Sequence, residues 1–297
     1  MSLTPENAVL DALPTSKRAW AAMLDRLGVR PSKGLGQHFL YERGVVQRMV
    51  RAAGIGPTDR VLEVGPGLGI LTSELLHRAR AVTAIELDRR LAAHLRSVFG
   101  DIDQFELVEA NALDVATRDV IPDGESFIVA ANLPYAVATA VLRHLLEQEP
   151  MPRRLVLMMQ KEVAERIVAR PPGMTILGVA AQFFTTPRLA FDVSPSVFLP
   201  PPNVDSSVII LDTLPEVRLP VWLHPRFFQI VNAGFRHKRK QVANSLSTEL
   251  GLSKEIVTAW LNVAAIDPMR RAQTLSVEEW VVLTKSAPPE IVLTDNR

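Results

Sequence analysis

The stretch from Arg60 to Thr72, RVLEVGPGLGILT, restricts the fold of this 297-residue chain more than any other. Val61, Leu62 and Val64 supply the apolar run of a strand covered on both faces, as parallel sheets require. Gly65, Gly67 and Gly69 follow at every second position, where a missing Cβ lets the backbone turn sharply and approach a ligand. Ile70 to Leu76 then reads as a helix whose N-terminal amides face that ligand. The spacing is E-x-G-x-G-x-G, with Pro66 stiffening the turn, and not the G-x-G-x-x-G that seats a pyrophosphate. On these residues alone, an ordinary glycine turn between strand and helix is the alternative.

Composition narrows the class. A hydrophobic fraction of 47% against 22% charged is that of a soluble globular protein, and the length allows two domains. No signal-peptide pattern and no bilayer-length apolar run is present, so a cytoplasmic protein without membrane contact is expected. Zero cysteines exclude a disulfide framework, a thiolate metal site and a cysteine nucleophile, and no metal is expected. A net charge of +1 argues against coating nucleic acid with the whole surface but leaves room for a local basic patch.

Residues 1–29 read as a tail followed by a short helix around Trp20, Met23, Leu24 and Leu27. Arg30 to Leu40, RPSKGLGQHFL, is either a lid over a ligand, mobile until the ligand binds, or an irregular connecting loop. A helix over Arg43 to Ala53 leads to the glycine-loop strand, and Ala81 to Ile85 forms the next strand, ending in Glu86-Leu87-Asp88. Glu86, about twenty residues past the glycines at a strand's carboxyl end, can accept hydrogen bonds from both hydroxyls of a ribose. Asp88 is the better candidate for a helix cap. Asn111, after the strand Phe105 to Glu109, either addresses an adenine edge or forms a turn.

A fourth strand, Phe127 to Ala131, leads into Asn132-Leu133-Pro134-Tyr135. An adenine exocyclic amine is a poor nucleophile because its lone pair is delocalised into the ring. The Asn132 side-chain oxygen and the Leu133 carbonyl are candidate acceptors that pull the amine toward a pyramidal geometry. Pro134 fixes the local backbone and Tyr135 would stack on the base. Outside this context the same four residues are a turn with a buried tyrosine. Further strands are expected at Arg154 to Met159 and Val208 to Leu211, with helices at Gln160 to Ala169 and Thr175 to Phe184. The triple proline at Pro200 to Pro202 is a preset loop or a plain connector.

The domain boundary falls at 212/213, and 213–297 reads as wholly helical. Within it, FRHKRKQVANSL from Phe235 to Leu246 gathers Arg236, His237, Lys238, Arg239 and Lys240 at a helix end. Such a run is a solvated face or a phosphate-binding patch, and Arg236, Lys238, Arg239 and Lys240 are the candidate RNA contacts.

Taken together, these segments resemble the KsgA family of ribosomal RNA adenine dimethyltransferases from about Lys33 to Trp280. The matching landmarks are GQHFL, EVGPGLGILT, IELD, NLPY, QKEVAERI, FLPPPNVDSSV, FRHKRKQVANSL and DPMRRAQTLS, in one order. The glycine loop is similar to motif I of the class I methyltransferases. The resemblance implies an α/β, Rossmann-like class I methyltransferase domain over 30–212 followed by a small all-helical, RNA-binding domain. It implies S-adenosylmethionine as cofactor, with His38, Leu40, Gly65, Gly67, Gly69, Glu86, Asn111 and Asn132 at cofactor positions. The implied reaction is dimethylation of two adjacent adenosines near the 3' end of small-subunit ribosomal RNA. The implied partner is that RNA within a pre-ribosomal particle, where the protein also acts as a checkpoint in subunit assembly; off the ribosome a monomer is expected.

Two departures stand out. The family usually has aspartate where this chain has Asn111, which implies weaker cofactor binding without loss of activity. Many relatives carry Tyr-Gly and a serine where Met174, Thr175 and Gly178 stand, which implies a different substrate-side wall. The competing identities are an Erm-type large-subunit rRNA methyltransferase and a non-catalytic assembly or transcription factor that keeps the fold.

Overall fold

The computed structural model describes residues 13–31 and 36–291. The expected tail therefore falls mostly outside the described residues, as does the middle of the 30–40 segment. The described residues divide into two compact units, one within residues 13–164 with 187–213 and one of residues 165–186 with 214–291. Glu165 to Thr186 thus packs with the C-terminal helices, whereas the sequence-based boundary leaves that segment in the first domain.

The first unit is built on a seven-stranded sheet. Its strands are β2 (Arg60–Val64), β3 (Ala81–Glu86), β4 (Phe105–Glu109), β5 (Phe127–Asn132), β6 (Arg154–Gln160), β7 (Thr185–Val193) and β9 (Ser206–Thr213). They lie in the order β4-β3-β2-β5-β6-β9-β7. The first five are mutually parallel and β9 runs antiparallel to β6. A small separate pair joins β1 (Phe39–Leu40) to β8 (Phe198–Leu199). Parallel strands must be covered by helices on both faces, which is why β2, β5 and β6 are largely apolar and buried almost throughout. The order reverses between β2 and β5. Chain leaving the carboxyl ends of those two neighbours diverges there and opens a crevice.

Local chemistry sets the helix ends. Asp88 accepts from the amides of Arg90 and Leu91 and starts the helix Arg89–Phe99, which the sequence reading did not place. Gly54, at φ 66, ends the helix Arg43–Ala53. Strand β7 was also unexpected, because Pro187 and a mixed apolar and polar pattern hide an edge strand.

In the second unit Phe183, on the helix Ile176–Phe184, stacks on Phe227 with ring centroids 4.1 Å apart. The helices His224–Phe235 and Val277–Lys285 meet at Gly234, where any Cβ would stand 2.3 Å from the buried Trp280 ring. The three residues of the second departure have structural work here. Met174 is buried, Thr175 caps the helix through the Gly178 amide, and Gly178 sits where a Cβ would approach the Arg166 carbonyl to 2.7 Å.

Candidate active site

The crevice at the strand reversal is a cleft of about 720 Å³, its open mouth included. Three sequence segments far apart in the chain build it: Gly36 to Leu40, the glycine loop after β2, and Asn132 to Tyr135 after β5, with Glu86 and Phe198 completing the wall. Glu63 on β2 pairs with Ala130 on β5, so the glycine loop and Asn132 leave the sheet side by side. A Cβ on Gly65 would lie 4.0 Å from Pro134 Cδ, and one on Gly67 would lie 3.3 Å from the Phe39 ring. The segment Gly36 to Leu40 is thus fitted against both motifs. Its β1 pairing with β8, and a hydrogen bond of 2.8 Å between His38 Nδ1 and the Pro200 carbonyl, hold it there. Since a carbonyl only accepts, Nδ1 carries the proton in this arrangement. Asn132 Nδ2 donates to the His38 carbonyl at 3.4 Å, which ties the first segment to the third.

Glu86 is 6% exposed and stands at the end of β3. One carboxylate oxygen accepts from the Gly67 amide at 3.1 Å and the other from the Asp88 amide at 2.9 Å. Burial raises its pKa, and those backbone bonds oppose the rise. Asp88, the expected cap, caps a helix, and Glu86 lines the cleft.

Glu63 also lines the cleft. It is 1% exposed; Oε2 accepts from Thr72 Oγ1 at 2.7 Å, while Oε1 is buried with no partner. Burial pushes its pKa from 4.5 up to about 8; the Thr72 bond opposes this and the negative Glu86 adds to it. Sequence reasoning noted Glu63 only as the residue before the turn. The available signal was an acid inside an otherwise apolar buried strand, which requires either a partner or a proton. Among the described residues, no Lys or Arg lines the cleft. Two buried carboxyls suit a cationic ligand and disfavour a pyrophosphate.

Of the expected cofactor residues, His38, Leu40, Gly65, Gly67, Glu86 and Asn132 line this cleft, as do all four of Asn132 to Tyr135. Gly69 and Asn111 do not. Gly69 has φ +87, and a Cβ there would stand 2.6 Å from the Phe99 ring, so this glycine is required by helix packing. Asn111 accepts from the Leu113 amide at 3.2 Å and donates to Asp114 Oδ2 at 3.1 Å. Its amide closes its own turn, the alternative that the sequence left open. Leu133 donates its amide to the Met158 carbonyl at 3.2 Å and is buried, with Pro134 following.

The basic segment lies in the second unit, in the turn between the helices His224–Phe235 and Val242–Leu250. His237 and Arg236 share Glu249, at 2.8 and 4.0 Å. Lys238, Arg239 and Lys240 are exposed and pair with no carboxylate among the described residues, so their charge is available to phosphates.

The family model described as ribosomal RNA adenine dimethylase matches residues 30–287. A relative from Dehalococcoides mccartyi, "Ribosomal RNA small subunit methyltransferase A", is 41% identical over 88% of this chain and 90% of its own. A protein of the same name from Moorella thermoacetica is 38% identical over 93% and 99%. Among solved structures, the 23S rRNA methyltransferase ErmE matches with a TM-score of 0.66 and 28% identity, over 84% of this chain and 98% of its own. A dimethyladenosine transferase from Plasmodium falciparum, at a TM-score of 0.68 and 24% identity over 83% and 96%, shares the fold.

Proposed function

The chain belongs to the ribosomal RNA adenine dimethylase family, and from that premise we propose that it dimethylates the exocyclic amines of two adjacent adenosines near the 3' end of small-subunit ribosomal RNA, with S-adenosylmethionine as donor. The class I, Rossmann-like architecture opens a crevice at the strand reversal, which supports a donor site there. The observation that supports the reading best is the meeting of the acidic cleft with Asn132 to Tyr135 in one crevice.

S-adenosylmethionine, when bound, supplies an electrophilic methyl on a cationic sulfur. Gly65 and Gly67 let the loop backbone come close to it, Glu86 takes the ribose hydroxyls, and His38, Leu40 and Asn132 complete the seat. Gly69 serves this seat by shaping the loop, and Asn111 lies beyond the lining. On the acceptor side, the Asn132 oxygen and the Leu133 carbonyl hold the two amine N–H groups. Pro134 fixes the backbone between them and Tyr135 stacks on the flipped base. The methylated amine then loses its proton readily, so no strong base is needed. Arg236, Lys238, Arg239 and Lys240 grip the RNA backbone and bring no base readout of their own.

The natural substrate in this proposal is a pre-ribosomal particle, met by a monomer in the cytoplasm. The small-subunit assignment rests on relatives at 38–41% identity, against 28% for the large-subunit enzyme among the structures. Methyl transfer to immature small subunits and to protein-free large-subunit RNA, measured side by side, tests it. Transfer to the former alone is expected; transfer confined to the latter refutes the proposal. Asn132→Ala is expected to abolish transfer and to leave cofactor affinity within about tenfold, and full activity in that variant would sink the assignment of the acceptor corner.

A further inference from the structure

Tyr135 is tied into the fold at both ends of its side chain. At the backbone end, a Cβ on Gly36 would lie 3.3 Å from Tyr135 Cβ, and the His38 ring sits 5.4 Å away at 40°. At the other end, the phenol hydroxyl is hydrogen-bonded to Ser206 Oγ at 2.7 Å, across 71 residues of chain. Stacking on a base uses only the ring face, which phenylalanine presents equally well. The hydroxyl is spent on Ser206.

Ser206 is a fixed anchor. It opens β9, has no exposed surface, and stands opposite Gln160 in the antiparallel register with β6. The carbonyl of Asp205 accepts from the Lys161 amide at 3.0 Å. On the other face of the strand Ser207 donates to Asp192 at 2.6 Å, and Asp192 also takes Lys161 Nζ at 2.6 Å. The first turn of β9 is therefore pinned on both sides, and a hydroxyl carried there has little freedom. Burial raises the Tyr135 phenol pKa although the Ser206 bond opposes it, so the group remains a hydroxyl at neutral pH.

We propose that Ser206 is a positioning residue for methyl transfer: its buried hydroxyl holds the Tyr135 phenol and so fixes the angle at which the ring meets the target adenine. This rests on the reading that an adenine amine is the acceptor. Without the bond, the ring turns about its two side-chain torsions and the base loses its alignment with the donor. The effect falls on the transfer step and leaves the donor seat alone.

Ser206→Ala, Tyr135→Phe and the double variant test it. Each single change should lower the single-turnover methylation rate about two- to tenfold, the worth of one buried hydrogen bond, with unchanged S-adenosylmethionine affinity by calorimetry. The double variant should be no slower than the slower single. Tyr135→Phe removes the bond without touching β9, which keeps the test open if Ser206→Ala folds poorly. The chain has two tyrosines, so ring-labelled NMR resolves Tyr135 from Tyr41, and Ser206→Ala should alter the Tyr135 signals alone. Lowered stability with full transfer rate, or losses that multiply in the double variant, overturns the proposal. A wild-type protein that methylates no adenosine overturns the functional reading and the proposal with it; wild-type rates and unaltered Tyr135 signals in Ser206→Ala overturn the proposal by itself.

Discussion

Replacing Glu63 with glutamine should make the protein more stable, increasingly so as pH rises. The side chain is wholly buried, with one oxygen held by Thr72 and the other without a partner. Its pKa rises from 4.5 to about 8 on folding. An acid with a raised pKa binds its proton more tightly in the folded state. Its full contribution is present below pH 4.5 and is lost as pH climbs through 8. Each pH unit in that window costs about 1.4 kcal/mol, so the wild type has lost about 3 kcal/mol by pH 7 and about 4 by pH 8. Glutamine keeps an acceptor for Thr72 and cannot ionise. Urea unfolding followed by circular dichroism should give nearly equal stabilities at pH 5 and a gap of about 3 kcal/mol at pH 7. Saturating S-adenosylmethionine should narrow that gap, since a cation beside the carboxyl favours its charged form. Stability curves for the two proteins that run parallel from pH 5 to pH 8 would refute the reasoning.

Gly69→Ala meets both a positive φ and the Phe99 ring at 2.6 Å, and should cost about 2–4 kcal/mol in urea unfolding; a cost under about 1 kcal/mol would contradict the packing role. Glu86→Gln weakens the seat for the ribose and should reduce S-adenosylmethionine affinity about 10- to 100-fold by calorimetry, while an unchanged affinity removes Glu86 from the site. Joint replacement of Lys238, Arg239 and Lys240 by alanine should weaken RNA binding and flatten its salt dependence by about two to three in log–log slope, with cofactor affinity unaffected. An unaltered salt slope would place the RNA contact elsewhere.

The sequence by itself determined the parallel strands, the glycine loop, Glu86 and the Asn132 to Tyr135 corner, because each is written in contiguous residues with a local physical cause. Apolar runs of strand length mark β2, β5 and β6, and alternating glycines mark the turn. The helix Arg89–Phe99 was missed although Asp88 was noted as a possible cap. Strand β7 was missed because an edge strand interrupted by proline carries little pattern. Only the tertiary structure decided the relations between distant segments. It placed Glu165 to Thr186 with the C-terminal helices through Phe183, a packing choice that amphipathic periodicity cannot direct to one neighbour over another. It separated Gly69 from Gly65 and Gly67, giving the first to Phe99 and the other two to the cleft. It also left Glu63 without a partner for one oxygen and bound Tyr135 to Ser206, because burial and a hydrogen bond across 71 residues are properties of the packed chain. The motifs name the chemistry; the strand order brings them to one crevice.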